Sequence, residues 1–240
     1  MVKLSYHIGI GGIPITEQIL PRGAFIQRDK QTYGIVPRSP LGIITPEFLE
    51  KIAHVVRKYD IPIVKMTSAQ RLALVGLKPE VIEDVWTDLG MDPTPAIGHC
   101  VHYVKACPGK AVCRFGILDA LNLGMLLEKQ LVGMDLPGKT KVGISGCPNN
   151  CCEGYLRDIG LFGKKKGWTL IVGGTSGRKP RIGDVIAENL TDDQAVMLIQ
   201  KCLDYYKNNA KPRERISRLI ERMGIEPLKD AVLAPKKGES

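Results

Sequence analysis

Four of the seven cysteines in this chain fall in two tight pairs. The first pair is Cys107-Pro-Gly-Lys-Ala-Val-Cys113 and the second is Cys147-Pro-Asn-Asn-Cys151. A cubane iron–sulfur cluster needs four thiolates converging on one small volume, and two turn-linked pairs supply two corners each. Proline, glycine and asparagine inside the pairs suit the tight turns that aim two sulfurs at one centre. Structural zinc sites use shorter C-x2-C loops, often with histidine, so these spacings argue against zinc. A disulfide framework fits poorly, because the cysteine count is odd and no secretory segment is read ahead of it. Cys100, Cys152 and Cys202 lack such spacing and are read as small buried apolar residues.

The rest of the composition narrows the partners. Apolar residues make up 44% and charged residues 25%, as in an ordinary globular protein able to bury one large core or two small ones. No apolar run is long enough to cross a bilayer, and the isoleucines after Lys3 are interrupted by glycines and Pro14, which argues against a signal peptide. Cysteines that must stay reduced to hold a cluster fit a cytoplasmic setting. The net charge of +9 would suit nucleic acid, yet no nucleic-acid module is recognisable and aromatics are only 5% of residues, too few for stacking platforms. Neither nucleic acid nor membrane is expected as a partner.

Periodicity divides the chain into an N-terminal arm over 1–30, a half-domain over 31–90, a larger unit over 97–232 and a flexible tail over 233–240. Gly9-Ile10-Gly11-Gly12 lacks the lysine and helix of a phosphate loop, so the arm is read as extended. Thr45-Pro46-Glu47 starts a helix to about Lys58, with Leu49, Ile52, Ala53 and Val56 inward. Strands are expected over 61–66 and 72–75, and a helix over 79–89 with Ile82, Val85, Trp86 and Leu89 inward. This order suggests a ferredoxin-like α+β half-domain. Met91-Asp92-Pro93-Thr94-Pro95 reads as a linker. In the larger unit a helix is expected over 115–130, with strands over 141–145, 158–162 and 169–172. A capping box at Thr191-Asp192-Asp193-Gln194 opens a helix to about Asn208. A last helix follows Pro212 and stops near Gly224, with Arg215, Arg218 and Arg222 on one exposed face.

The arrangement of the cysteines resembles the sulfite and nitrite reductases that couple a [4Fe-4S] cluster to sirohaem. Ala106 through Gly116 is similar to that family's first cluster segment. Ser145 through Cys151, followed by Asp158-Ile159-Gly160, is similar to its second. Gly167 through Gly174 and Lys179-Pro180-Arg181 resemble the segment that follows in the nitrite reductase branch. The likeness covers roughly residues 34–232, once rather than twice, as in a minimal single-copy, assimilatory-type sulfite reductase. It implies an α+β protein: a ferredoxin-like half-domain followed by a sirohaem/[4Fe-4S]-binding α/β domain. It also implies six-electron reduction of sulfite to sulfide with electrons from a separate acidic carrier such as ferredoxin. Reduction of nitrite to ammonia is the alternative, and so is a non-catalytic electron-transfer protein that kept both cofactors.

By the same resemblance, Cys107, Cys113 and Cys147 bind cluster irons, and Cys151 is the thiolate shared with the haem iron. Arg38, in Arg38-Ser39-Pro40-Leu41-Gly42-Ile43-Ile44-Thr45, aligns with a substrate-contacting arginine on the family's first strand motif. Lys139 and Lys141 align with paired lysines, and an i, i+2 pair shares one face of a strand. Arg71 and Arg114 are expected to meet sirohaem carboxylates. One position departs from the pattern: the family's arginine five residues before the first cluster cysteine is His102 here. Histidine is shorter and ordinarily titrates near neutrality, so it would bind an oxyanion more weakly and could donate a proton; simple packing beside the haem is the other reading.

Overall fold

The computed structural model describes residues 21–93 and 98–234. The stretch 1–20 of the expected arm, most of the tail and the residues 94–97 around the expected linker's end lie outside the described residues. The first lobe is a four-stranded antiparallel sheet in the order β1-β2-β4-β3. Its strands are β1 (Ala24–Ile26), β2 (Tyr33–Ile35), β3 (Ile63–Met66) and β4 (Leu72–Leu77). Two helices, α1 (Pro46–Lys58) and α2 (Ile82–Leu89), complete it. β1 lies within the stretch read as an arm and pairs with β2 at one edge.

α1 begins as its sequence dictates: the Thr45 hydroxyl accepts from the Phe48 N–H at 3.3 Å and Pro46 opens the first turn. Its inward stripe is rotated by one residue from the expected face. Phe48, Ile52 and Val55 are buried, while Leu49 is 51% exposed. Phe48 joins the cluster of Leu74, Leu77, Trp86 and Leu89, where an aromatic ring buries more area than Leu49 would. On α2 the four expected inward residues are all buried.

The segment 38–45, aligned above with a strand motif of the family, is not a strand here. It forms a short 3-10 turn, Pro40–Gly42, in which Leu41 adopts φ 54° and inserts into the core of the second lobe. Gly42 also has positive φ, and a Cβ there would stand 2.7 Å from Gln70 Cβ.

The second lobe is a five-stranded sheet in sequential order, comprising β5 (Val101–Ala106), β6 (Thr140–Ser145), β7 (Ile159–Lys164), β8 (Gly167–Val172) and β9 (Asp184–Leu190). β5, β6 and β7 run parallel, and β7, β8 and β9 antiparallel. Helices α3 (Ala120–Leu131) and α4 (Asp192–Asn209) contribute most of the apolar cover, with α5 (Ile216–Met223) and α6 (Glu226–Leu233) behind. α3 starts five residues later than expected, capped by Asp119, whose Oδ1 accepts from Asn122 N–H at 3.0 Å. The intervening amides have other partners: Ile117 and Leu118 N–H both donate to Gly146 O at 2.9 Å. The capping box at Thr191 is formed in full. Arg215 leaves the expected exposed arginine face and pairs instead with the fully buried Asp158. No helix among the described residues is long and apolar enough to cross a membrane.

Candidate cofactor and oxyanion site

β5 and β6 are neighbours in parallel register, Ala106 opposite Ile144, so their carboxyl ends deliver both cysteine loops to one edge of the sheet. Cys107 N–H donates to Ile144 O at 3.0 Å, and Gly146 N–H donates to Cys107 Sγ at 3.1 Å. The two loops interleave at glycine. A Cβ on Gly116 would lie 2.3 Å from Gly109 C, and one on Gly146 would lie 2.7 Å from Gly109 Cα. Only hydrogen at these positions lets the backbones approach so closely. Among the described residues all seven cysteines are free thiols; Cys147 is buried, Cys107 and Cys113 half-buried and Cys151 exposed.

The same residues hold no group of three His, Cys, Asp or Glu side chains set for a single metal ion. A [4Fe-4S] cluster takes one thiolate per iron, so its ligands stand wider apart than those of one ion. Two interleaved loops carrying four uncrosslinked thiols, with a backbone N–H already aimed at one sulfur, fit that group. Cys152 turns inward, its N–H on Ser145 Oγ at 2.9 Å, and burial pushes its thiol up to about 12. Arg114 does not face inward; it is exposed and stacks over the Phe115 ring at 4.5 Å.

The cations gather at the other end. Lys139 directly precedes β6 and Lys141 lies within it, opposite Tyr103. His102 lies near the start of β5 and Cys107 just past its end. Five residues at about 3.3 Å each put their backbones about 17 Å apart. Burial, then Lys141, Arg215 and Arg71, hold the Lys139 ammonium below its ordinary value; burial and Arg215 do the same for Lys141. Arg71 reaches this group from the first lobe, 6.0 Å above the Tyr103 ring, with its buried Nε unpartnered. Burial lowers its pKa while the Glu128 charge opposes the shift. Arg38 donates from Nε to Glu128 Oε1 at 3.3 Å. An orphaned guanidinium nitrogen among partly buried cations fits a polycarboxylate macrocycle such as sirohaem, whose acid groups would supply the missing acceptors.

His102 is 3% exposed, and its Nε2 donates to Gly98 O at 2.9 Å. Burial, with Lys139, Arg71 and Lys141 nearby, lowers its pKa to about 4. Burial and the neighbouring cations thus favour the neutral imidazole, against the expected titration near neutrality, because a charged one would be both desolvated and repelled.

Three polar residues that support the cations were not anticipated. Asp158 accepts Arg215 Nε at 3.0 Å, Arg215 Nη2 at 2.5 Å and Lys141 N–H at 2.9 Å. Arg157 is buried, donating to Tyr103 Oη at 3.2 Å and pairing with Glu153. Glu128 is a carboxylate on the apolar face of α3, one turn from Gly124 and beside Leu127, and that misplaced charge was the signal available in the sequence.

Comparison with known proteins gives the family and the fold. A family model described as the nitrite and sulphite reductase 4Fe-4S domain matches residues 97–239, and one described as the nitrite/sulfite reductase ferredoxin-like half domain matches residues 25–91. The assimilatory-type sulfite reductase of Nitratidesulfovibrio vulgaris is 56% identical over 213 residues, 89% of this chain and 98% of that protein. The NAD(P)H nitrite reductase of Bacillus subtilis is 41% identical over 89% of this chain but only 26% of its own length. Among solved structures, dissimilatory sulfite reductase I aligns with a TM-score of 0.73 at 14% identity, over 86% of this chain and 70% of that one. The Mycobacterium tuberculosis NirA protein gives 0.73 at 18% identity, over 90% and 44%. At those identities the likeness is one of fold.

Proposed function

The chain belongs to the nitrite and sulphite reductase 4Fe-4S family, and from that premise we propose that it reduces sulfite to sulfide at a joined [4Fe-4S] and sirohaem centre. The observation that carries the reading is the pairing, on one two-strand unit, of four free cysteines with a cation group that lacks enough anions. Cys107, Cys113, Cys147 and Cys151 would hold the cluster, with Cys151 the thiolate that would also serve the sirohaem. When bound, the two groups supply electron storage and a metal for the central atom of the substrate. Arg71 pairs with a macrocycle carboxylate, and Arg114 is the weaker candidate for the same task given its exposed stacking on Phe115.

Arg38, Lys139 and Lys141 bind the oxyanion. The two lysines release protons more readily than surface lysines, because burial and their neighbours lower their pKa, and reduction of sulfite consumes protons at each stage. His102 serves as a neutral spacer that orients the start of β5 through Gly98 rather than as an acid. Electrons come from a separate acidic carrier such as ferredoxin, and the reduced thiols fit a cytoplasmic setting. Nitrite is the second candidate substrate, favoured by the likeness to the Bacillus subtilis enzyme.

Anaerobically purified protein given a reduced dye and either anion tests the reading, alongside mass spectrometry of the extracted pigment. Sulfide production and a sirohaem mass are expected. Recovery of protohaem or no tetrapyrrole would sink the cofactor assignment, and ammonia formation without sulfide would move the substrate to nitrite.

A further inference from the structure

Glu128 is the buried carboxylate for which the reading above has no use. It is 5% exposed on the core face of α3, among Leu123, Leu127 and Leu131. A charge in such a place costs several kcal/mol unless it is paired and hydrogen-bonded. The groups that meet it come from three separate elements. Val104 N–H of β5 donates to Oε2 at 3.2 Å, Arg38 Nε donates to Oε1 at 3.3 Å, and the Arg71 charge acts on it from beside β4. Among the described residues, Arg38–Glu128 is the one ion pair that joins the two lobes.

The contact beside it is apolar and equally specific. Leu41, three residues after Arg38, is 5% exposed and packs into the second lobe's core. Its seat is Gly124, one turn before Glu128, where a Cβ would stand 3.1 Å from Leu41 Cδ1 and 3.0 Å from Ala106 Cβ. Glycine within a helix is less stable than alanine, so its presence there is explained by the close approach of Leu41.

We propose that Glu128 is a positioning residue for oxyanion capture: it latches Arg38 of the first lobe at the cation end of β5 and β6, with Leu41 seated on Gly124 setting the latch's reach. The proposal rests on the reading of Arg38 as an oxyanion contact. Charge alone predicts the opposite sign of effect. A carboxylate near an anion site repels the anion, so neutralising it should tighten binding if it acts only through space. Positioning predicts that binding weakens, because an untethered Arg38, already 42% exposed, swings into water.

The test uses holoenzyme of the wild type, Glu128→Gln, Glu128→Asp, Arg38→Ala and the Arg38→Ala/Glu128→Gln double variant. Four quantities are read: sulfite KM and kcat with a dye donor, sulfite affinity by optical titration, and Arg38 reactivity with an arginine reagent mapped by mass spectrometry without substrate. Glu128→Gln should expose Arg38 to the reagent and weaken sulfite binding about tenfold, with kcat within about twofold. It should add little on the Arg38→Ala background, since both changes remove one interaction. Glu128→Asp keeps the charge with less reach and should fall between; it also carries the test if Glu128→Gln fails to fold. Gly124→Ala, which unseats Leu41 without altering charge, should raise KM in the same direction.

Tighter or unchanged sulfite binding in Glu128→Gln, or additive effects in the double variant, overturns the proposal, and unchanged Arg38 reactivity overturns the latch itself. A wild type that neither binds nor reduces sulfite or nitrite defeats the functional reading, and Arg38 reactivity still reports separately on the latch. An unchanged KM in Gly124→Ala removes Leu41 from the mechanism.

Discussion

At the carboxyl ends of β5 and β6, two loops are locked by backbone against backbone, through Gly109, Gly116 and Gly146 and the paired donation of Ile117 and Leu118 to Gly146 O. At the amino ends of the same strands, cations from both lobes are held near one another against their own repulsion. What keeps them there is a pair of buried carboxylates: Asp158 grips Arg215 and the Lys141 backbone, and Glu128 grips Arg38. The cysteine end thus depends on short-range steric fit and the cation end on charge. A ligand shell for metal needs its donors placed by a rigid backbone. A pocket for anions needs positive charge that stays incompletely neutralised, so that the ligand completes it.

If the two ends are built on these different terms, perturbing each should leave the other readable. The largest effect is expected from Cys147→Ser. Iron and acid-labile sulfide, about four of each per chain in the wild type before haem iron is counted, should fall to near zero, with a loss of stability because metal binding is part of the folding free energy. A variant that keeps a full complement would remove Cys147 from the ligand set. Next comes Asp158→Asn, which strips the charge facing Arg215 and should cost about 3–5 kcal/mol in urea unfolding of the protein, as for a broken buried ion pair. A cost below about 1 kcal/mol would mean that the cation end is not held by this carboxylate.

The third prediction follows from His102. Its folded pKa of about 4 lies below the ordinary value of 6.5, so the unfolded chain binds a proton first as pH falls. The contribution is complete above about pH 6.5 and is lost progressively toward pH 4, amounting to about 3 kcal/mol. The stability difference between wild-type apo-protein and His102→Gln, followed by urea titration across that window, should therefore shrink toward acid. The near-neutral limb of the pH–rate profile should not depend on His102. A wild-type limb near pH 6.5 that vanishes in His102→Gln would restore its role as an acid. The smallest effect is Lys141→Ala, for which removal of one charged contact should lower kcat/KM for sulfite about tenfold while the cluster content stays intact. Loss of cluster in that variant would show that the two ends are not separable.

The cysteine end is legible in the sequence because its information is local. Each pair is closed within one turn, and Pro108, Gly109, Pro148 and Asn149 announce those turns. The capping box at Thr191 and the Thr45-Pro46 start are readable for the same reason. The expected helix over 115–130 fails at its first turn because Gly146, far along the chain, takes the amides that would have opened it. The 3-10 turn at Pro40–Gly42 is not legible locally, because Leu41 is drawn across the lobe boundary into a core that its own neighbours do not form. β5 and β9 have no counterpart among the expected strands, and β5 is the strand that carries His102 toward Cys107.

By itself, then, the sequence determined the paired spacing of four cysteines, the helix starts at Thr45 and Thr191 and the family, all of which live in residues a few positions apart. Only the tertiary structure decided that Arg38, Arg71, His102, Lys139, Lys141 and Arg215 share one neighbourhood and that Arg114 does not. It also decided that His102 is buried beside cations that lower its pKa, and which carboxylates restrain the cations. Those are long-range matters: charge and burial act between groups close in space, whatever their separation along the chain, and no local pattern encodes the desolvation that sets their strength.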